Sequence, residues 1–197
     1  LATASKTLGF IGLMRLLMII TLPETGGTAV WMLAFGILSV VTMTWGNLAA
    51  LGSNNPKRML AYSSVAHAGY MMAALVAVAA WKSGSYTENN ADGIMAVELI
   101  IAAIIFHLFV LISFKVGAFI VISHLETENE ITDMSSLHGL AKREPIIATS
   151  MFVFMLALAG VPPLAGFMSK FLMVTGIVQV ASADVLTNNS TDLIPTI

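Results

Sequence analysis

The segment LALAGVPPLAGFMSKF, residues 156–171, combines an apolar helix, a helix-breaking pair and a charge. Pro162 and Pro163 interrupt the apolar run, and Lys170 follows with apolar residues on both sides. Proline lacks a backbone donor and clashes with the preceding turn of a helix. The segment therefore predicts a helix that is broken beside an ionisable side chain.

The composition indicates that this segment belongs to a membrane protein. Of the 197 residues, 57% are hydrophobic and only 10% are charged, whereas about a quarter of the residues in soluble domains are charged. The net charge of −2 argues against nucleic-acid binding. The absence of cysteine excludes disulfides and thiolate-ligated iron–sulfur clusters within the chain. Because the sequence begins inside an apolar run without Met, we expect it to be part of a longer protein.

Five apolar segments reach the length of about 20 residues that a membrane-spanning helix needs. They cover approximately residues 1–22, 30–51, 59–81, 94–123 and 146–181, and residues 182–197 form a polar tail. The last two segments exceed one span, so they must be tilted or interrupted. Continuous runs favour helices over short alternating strands. The predicted fold is an all-α integral membrane bundle of about five helices, the last broken at Pro162–Pro163.

The basic residues of the loops predict the orientation of the bundle. Lys57 and Arg58 lie between the second and third segments, and Lys142 and Arg143 lie between the fourth and fifth. The loops at the opposite ends carry a single basic residue, Lys82. We therefore expect the loops that contain Lys57 and Lys142 to be cytoplasmic.

Ionisable side chains within the apolar segments are the candidate functional residues, because such groups usually face a bundle interior or a water-filled cavity. Lys6, Lys115 and Lys170 are the candidate proton carriers. Lys170 is the strongest candidate, since a helix break at membrane depth is tolerated only inside protein or along a cavity and such breaks recur at ion sites. The alternative for Lys6 and Lys170 is a lysine that reaches the membrane interface.

Polar side chains near the two membrane histidines suggest a water-linked path. Ser63, His67 and Tyr70 share one helical face at positions i, i+4 and i+7. His107 is predicted near mid-membrane, with Lys115 on nearly the same face eight residues later. Histidine can donate and accept a proton, so this group suits proton transfer. Histidines that only join neighbouring helices by hydrogen bonds are the alternative.

Several motifs resemble the antiporter-like membrane subunits of complex I and its relatives. The similarity, which is greatest to the subunit N branch, rests on KRMLAYSSVAHAGYMMAAL (57–75), FKVGAF (114–119), DMSSLHGLAKREP (133–145) and LAGVPPLAGFMSKFLMVTG (158–176). The resemblance implies that the five segments are the eighth to twelfth helices of an inverted-repeat fold. It also implies a proton path from Lys6 through His67 to Lys170, whereas Lys115 is more typical of the larger antiporter-like subunits.

The implied function is proton translocation in a redox-driven complex similar to NADH-quinone oxidoreductase. The resemblance implies a quinone-like acceptor, flavin and iron–sulfur clusters in partner subunits, no cofactor in this chain, and other membrane-arm subunits as partners. The expected location is a prokaryotic cell membrane, where the chain contacts lipid and protons. A subunit of a multisubunit Na⁺/H⁺ antiporter, a membrane-bound hydrogenase subunit and a scaffold without transport activity are the alternatives.

Overall fold

The computed structural model describes residues 4–20, 28–83, 91–129 and 133–191. Within these ranges the chain forms helices joined by short turns, and a 3-10 turn spans Met134–Leu137. The helices are α1 (Ala4–Ile20), α2 (Thr28–Leu51), α3 (Pro56–Ser83), α4 (Ala91–Asn129), α5 (Leu140–Arg143), α6 (Pro145–Ala159) and α7 (Ala165–Thr191).

The long helices occupy the predicted apolar segments. Among the described residues, four helices are long and apolar enough to cross a membrane, namely Val30–Leu51, Pro56–Trp81, Ala91–Thr127 and Ala165–Ser182. The first predicted segment corresponds to α1, which has 17 residues. The fifth is divided into α6, a shorter apolar helix, and α7. The all-α membrane fold with a broken last helix is confirmed.

Two helices continue beyond their predicted ends. Helix α4 is uninterrupted to Asn129 instead of ending near residue 123. Its 39 residues extend roughly 58 Å at the α-helical rise, which exceeds the thickness of a bilayer core of about 30 Å. Helix α7 continues to Thr191, into the predicted tail. Polar residues set the predicted ends, but a helix can continue through polar residues once it has left the hydrocarbon.

Helices α3 and α4 lie at the centre of the bundle and contact most of the other helices. Helix α2 packs on α3, α6 packs on α4, α7 contacts both central helices, and α1 contacts α3. The buried face of α4 repeats every three or four residues, as expected for one side of a helix. Its apolar members include Ala96, Ile100, Ile104, Leu111, Ala118 and Ile122. His107 and Lys115 occupy the same buried face, as their spacing predicted.

The break between α6 and α7 is built around a glycine. Gly160 follows the last residue of α6 in the left-handed region, with φ of 84° and ψ of 44°. Its N–H and that of Val161 donate back to carbonyls of the last turn of α6, a common way to end a helix. The Pro162–Pro163 peptide bond is cis, and α7 begins at Ala165. The predicted position of the break is therefore confirmed.

The two basic loops lie at the same end of the bundle. At the start of α3, Lys57 forms an ion pair with Glu126 near the end of α4. The backbone N–H of Met134 donates to the carbonyl of Asn54 over 2.8 Å. These contacts join the α2–α3 loop to the segment that leads into α5. The cytoplasmic location of this end stays a prediction.

Candidate functional site

Three polar side chains form a continuous hydrogen-bonded unit inside the bundle. His67 Nδ1 of α3 lies 3.2 Å from His107 Nε2 of α4, and His107 Nδ1 lies 2.8 Å from Ser169 Oγ of α7. All three residues are buried, and Ser169 has no exposed surface. Burying a polar group is costly unless it is hydrogen-bonded. Each member of this buried triad offsets that cost by a hydrogen bond to a neighbouring member. The triad joins three helices through side chains alone.

Lys170, the next residue after the triad's serine, is bound to the end of α6. Its Nζ donates to the carbonyls of Leu158 over 3.1 Å and of Ala159 over 3.0 Å. The last carbonyls of a helix lack helical partners and carry partial negative charge. Lys170 Nζ also lies 5.7 Å from the centroid of the Tyr70 ring, within the range of a cation–π contact. The break thus supplies the acceptors that hold a half-buried ammonium group.

A cavity of about 310 Å³ connects Lys170 to the α3 face that carries Ser63, His67 and Tyr70. Asn47 of α2 also lines it and donates from Nδ2 to the Tyr70 hydroxyl over 3.2 Å. A water molecule occupies about 30 Å³ in the liquid, so the space accommodates several. The three residues predicted to share a face do line one cavity, and Lys170 borders the same space.

Lys115 lies deeper in the bundle, with 2% of its surface exposed. Its Nζ donates to the Leu60 carbonyl over 3.3 Å and to the Ser64 hydroxyl, both on α3. Leu60 also lines the cavity. Lys115 is therefore held by α3 one to two turns before His67, at the edge of the same polar region.

The remaining predicted residues have different positions. Pro162 and Pro163 are exposed at the break. Lys6 belongs to α1, which packs toward α3 through the buried Phe10, but the side chain of Lys6 lies outside the described residues. The path from Lys6 to His67 is therefore untested.

Sequence reasoning missed Ser64, Asn47 and Ser169. The sequence did contain an indication of Ser169, because it is a small hydroxyl residue directly before Lys170 in an apolar segment. Its contact with His107 depends on how α4 packs against α7, which no local pattern specifies. As for metals, His, Asp and Glu residues within the described ranges form no group of three that could hold an ion.

The sequence is similar to a family of membrane proteins and to several of its members. The family described as NADH:quinone oxidoreductase/Mrp antiporter, TM, matches residues 1–192. NADH-quinone oxidoreductase subunit N of Desulfitobacterium hafniense is 35% identical over 179 residues, which cover 91% of this chain. Subunit N of Bdellovibrio bacteriovorus is 40% identical over 177 residues, which cover 88%.

A solved structure shows the same similarity in three dimensions. It is the respiratory complex I from Thermus thermophilus with bound Aureothin, one chain of which is 31% identical, with a TM-score of 0.54 over 77% of this chain. The present chain spans about a third of its relatives, namely 36% and 32% of the two subunit N proteins and 32% of the Thermus chain. These matches agree with the resemblance found in the motifs.

Proposed function

The chain belongs to the NADH:quinone oxidoreductase/Mrp antiporter transmembrane family, and on this premise we propose that it translocates protons as part of a subunit N-type membrane subunit. The observation that supports this proposal best is the buried triad beside Lys170. Direct contact from α3 through α4 to α7 provides proton-exchanging groups across the centre of the bundle. An adjoining cavity reaches the lysine.

In the proposed mechanism, Lys170 and His67 exchange protons through water in the cavity. Lys170 holds a proton while its ammonium group donates to the end of α6. His67 takes up a released proton and passes one to His107, because their ring nitrogens are in hydrogen-bond contact and imidazole can donate and accept. Ser63 and Tyr70 order the cavity water through their hydroxyl groups. Lys115 and Lys6 are further carriers on the same path.

The energy for this transfer comes from redox chemistry in partner subunits. We propose that electrons from NADH, reduced F420 or ferredoxin reach a quinone-like acceptor through flavin and iron–sulfur clusters outside this chain. The partners are the other membrane subunits of an assembly similar to complex I. The location is a prokaryotic cell membrane, with the loops that contain Lys57 and Lys142 in the cytoplasm.

A subunit of a multisubunit Na⁺/H⁺ antiporter is the second candidate, because the family description includes Mrp antiporters. Purification of the full-length protein from its native membrane separates the two functions. Copurified flavin and iron–sulfur proteins support the redox-driven complex. An assembly of antiporter subunits alone, which exchanges Na⁺ for protons in vesicles, supports the second candidate.

The triad offers a direct test of the proton path. In the full-length protein within its complex, His107→Ala is expected to lower the number of protons pumped per electron, because the loss of a positioned proton-transfer group slows transfer by about 10²–10⁴-fold. Ser113→Ala is a matched control on α4, since Ser113 is exposed and its hydroxyl donates to the Phe109 carbonyl of its own helix. Normal pumping by a fully assembled His107→Ala complex contradicts the proposal.

A further inference from the structure

We propose that Ser169 is a positioning residue that fixes the tautomers of both histidines, so that the resting triad accepts a proton only at the His67 end. This inference rests on the proposed function, because it assigns a direction to the same path. The hydrogen atoms of the triad can be placed because the partner of each polar atom determines whether that atom donates or accepts.

The carbonyl of Gly166 determines the direction of the Ser169 hydroxyl. Ser169 Oγ lies 3.0 Å from this oxygen, one turn earlier in α7. A carbonyl only accepts and a hydroxyl has a single hydrogen, so Ser169 donates its hydrogen to Gly166. The same hydroxyl oxygen lies 2.8 Å from His107 Nδ1. Toward His107 it can therefore only accept, and His107 must carry its hydrogen on Nδ1.

The tautomer of His107 determines that of His67. A neutral imidazole has one N–H, so a His107 ring protonated on Nδ1 presents Nε2 as an acceptor. The contact between His107 Nε2 and His67 Nδ1 then requires His67 to donate from Nδ1. Both histidines carry the hydrogen on Nδ1. The unprotonated nitrogen left for an incoming proton is Nε2 of His67, the residue that lines the cavity.

These tautomers give the triad one receptive end. A proton that binds His67 Nε2 forms a new N–H bond, and the Nδ1–H bond of His67 breaks as its proton moves to His107 Nε2. His67 is then neutral, and the positive charge resides on His107, which donates to Ser169 and to His67. One proton has entered and one charge has moved from α3 to α4. At the Ser169 end the resting His107 has no free nitrogen lone pair.

The packing of the break holds the acceptor of Ser169 in place. Gly166 lies against α6 so closely that a Cβ at this position would be 1.7 Å from the Ala157 carbonyl oxygen. Ser169 itself is completely buried. The Ser169 hydroxyl and its carbonyl acceptor both belong to α7, so this hydrogen bond is internal to one helix.

Solid-state NMR of the full-length protein, labelled with ¹⁵N-histidine and assembled in its complex in lipid, tests the tautomers. Difference spectra against His67→Gln and His107→Gln identify the two rings. We expect protonated Nδ1 and unprotonated Nε2 on both. Ser169→Ala should produce mixed tautomers, whereas Ser169→Thr should retain the parent pattern. Ser182→Ala is the matched control, because Ser182 makes the same bond to a carbonyl three residues earlier but is exposed.

Proton pumping provides the second measurement. We expect Ser169→Ala to slow proton transfer roughly tenfold, the effect of losing one positioned hydrogen bond, with partial recovery in Ser169→Thr. Resting rings protonated on Nε2, or an unchanged tautomer in Ser169→Ala, overturn the inference while the proton path itself stands. Normal pumping by assembled His107→Ala instead removes the proposed function. The two failures are therefore distinguishable.

Discussion

At the scale of single residues, Lys170 combines a proton-binding group with a structural contact. Its ammonium nitrogen donates to two carbonyls at the end of α6. An ammonium group has three donors and carries a charge that favours a helix C-terminus. Loss of the proton removes that charge and weakens the contact. Proton binding at Lys170 is therefore linked to the hold of α7 on α6.

Lys170→Met is expected to lower proton pumping strongly while the complex still assembles. Methionine fills much of the same space but cannot hold a proton or donate to Leu158 and Ala159. Proton uptake per electron in reconstituted vesicles measures the effect. Lys142→Met, at an exposed position of α5, is the control and should pump normally. Undiminished pumping by assembled Lys170→Met would exclude this lysine from the mechanism.

Replacement of His67 should produce a graded defect. His67→Ala removes the ring in contact with His107, so we expect a partial loss of pumping. His67→Gln should be milder, because its amide keeps both a donor and an acceptor. If His67 only packs against its neighbours, both variants should instead lose assembly without a specific pumping defect. Pumping per assembled complex separates these outcomes.

The sequence predicted the residues of the site better than their connections. Ser63, His67 and Tyr70 could be grouped because their spacing lies within one helix, and all three line the cavity. The contact of His107 with Ser169 joins α4 to α7 across 62 positions of the chain. It depends on how two helices pack, and helical periodicity carries no information about the partner of a buried face.

At the scale of elements, the break between α6 and α7 depends on a backbone conformation that suits glycine. Gly160 adopts φ of 84°, a region that costs other residues roughly 1–2 kcal/mol. A Cβ at Gly160 would also lie 3.2 Å from Lys170 Nζ. The position of the break was predictable from its two prolines. The role of Gly160 in ending α6 required the observed dihedral angle.

Gly160→Ala is expected to lower both stability and pumping. The backbone strain destabilises the end of α6, and the added methyl group forces the Lys170 ammonium to shift by a few tenths of an ångström beside its acceptors. Gly139→Ala is a close control, because Gly139 has a similar φ of 76° but open space around it. That variant should lose stability without a loss of pumping. Thermal denaturation of the assembled complex and vesicle assays measure the two effects, and equal pumping by both variants would contradict the argument.

At the scale of the whole molecule, the contacts gather the basic loops at one end. Lys57 pairs with Glu126, and the backbone of Asn54 accepts from that of Met134. The opposite end contains the start of α4, where Asp92 is exposed. The chain spans about a third of the length of its relatives. The basic residues at one end of the bundle predict its orientation in the membrane.

Labelling of single cysteines tests this polarity. This chain has no cysteine, so Arg143→Cys and Asp92→Cys each introduce one site here, in a full-length protein freed of any others. Arg143 is exposed and lies with Lys142 in the last turn of α5. Because basic loops remain on the cytoplasmic side, a membrane-impermeant thiol reagent should label Arg143→Cys only in inverted vesicles. It should label Asp92→Cys only in intact cells. The reverse pattern would invert the topology and with it the direction in which Lys170 and the triad pass protons.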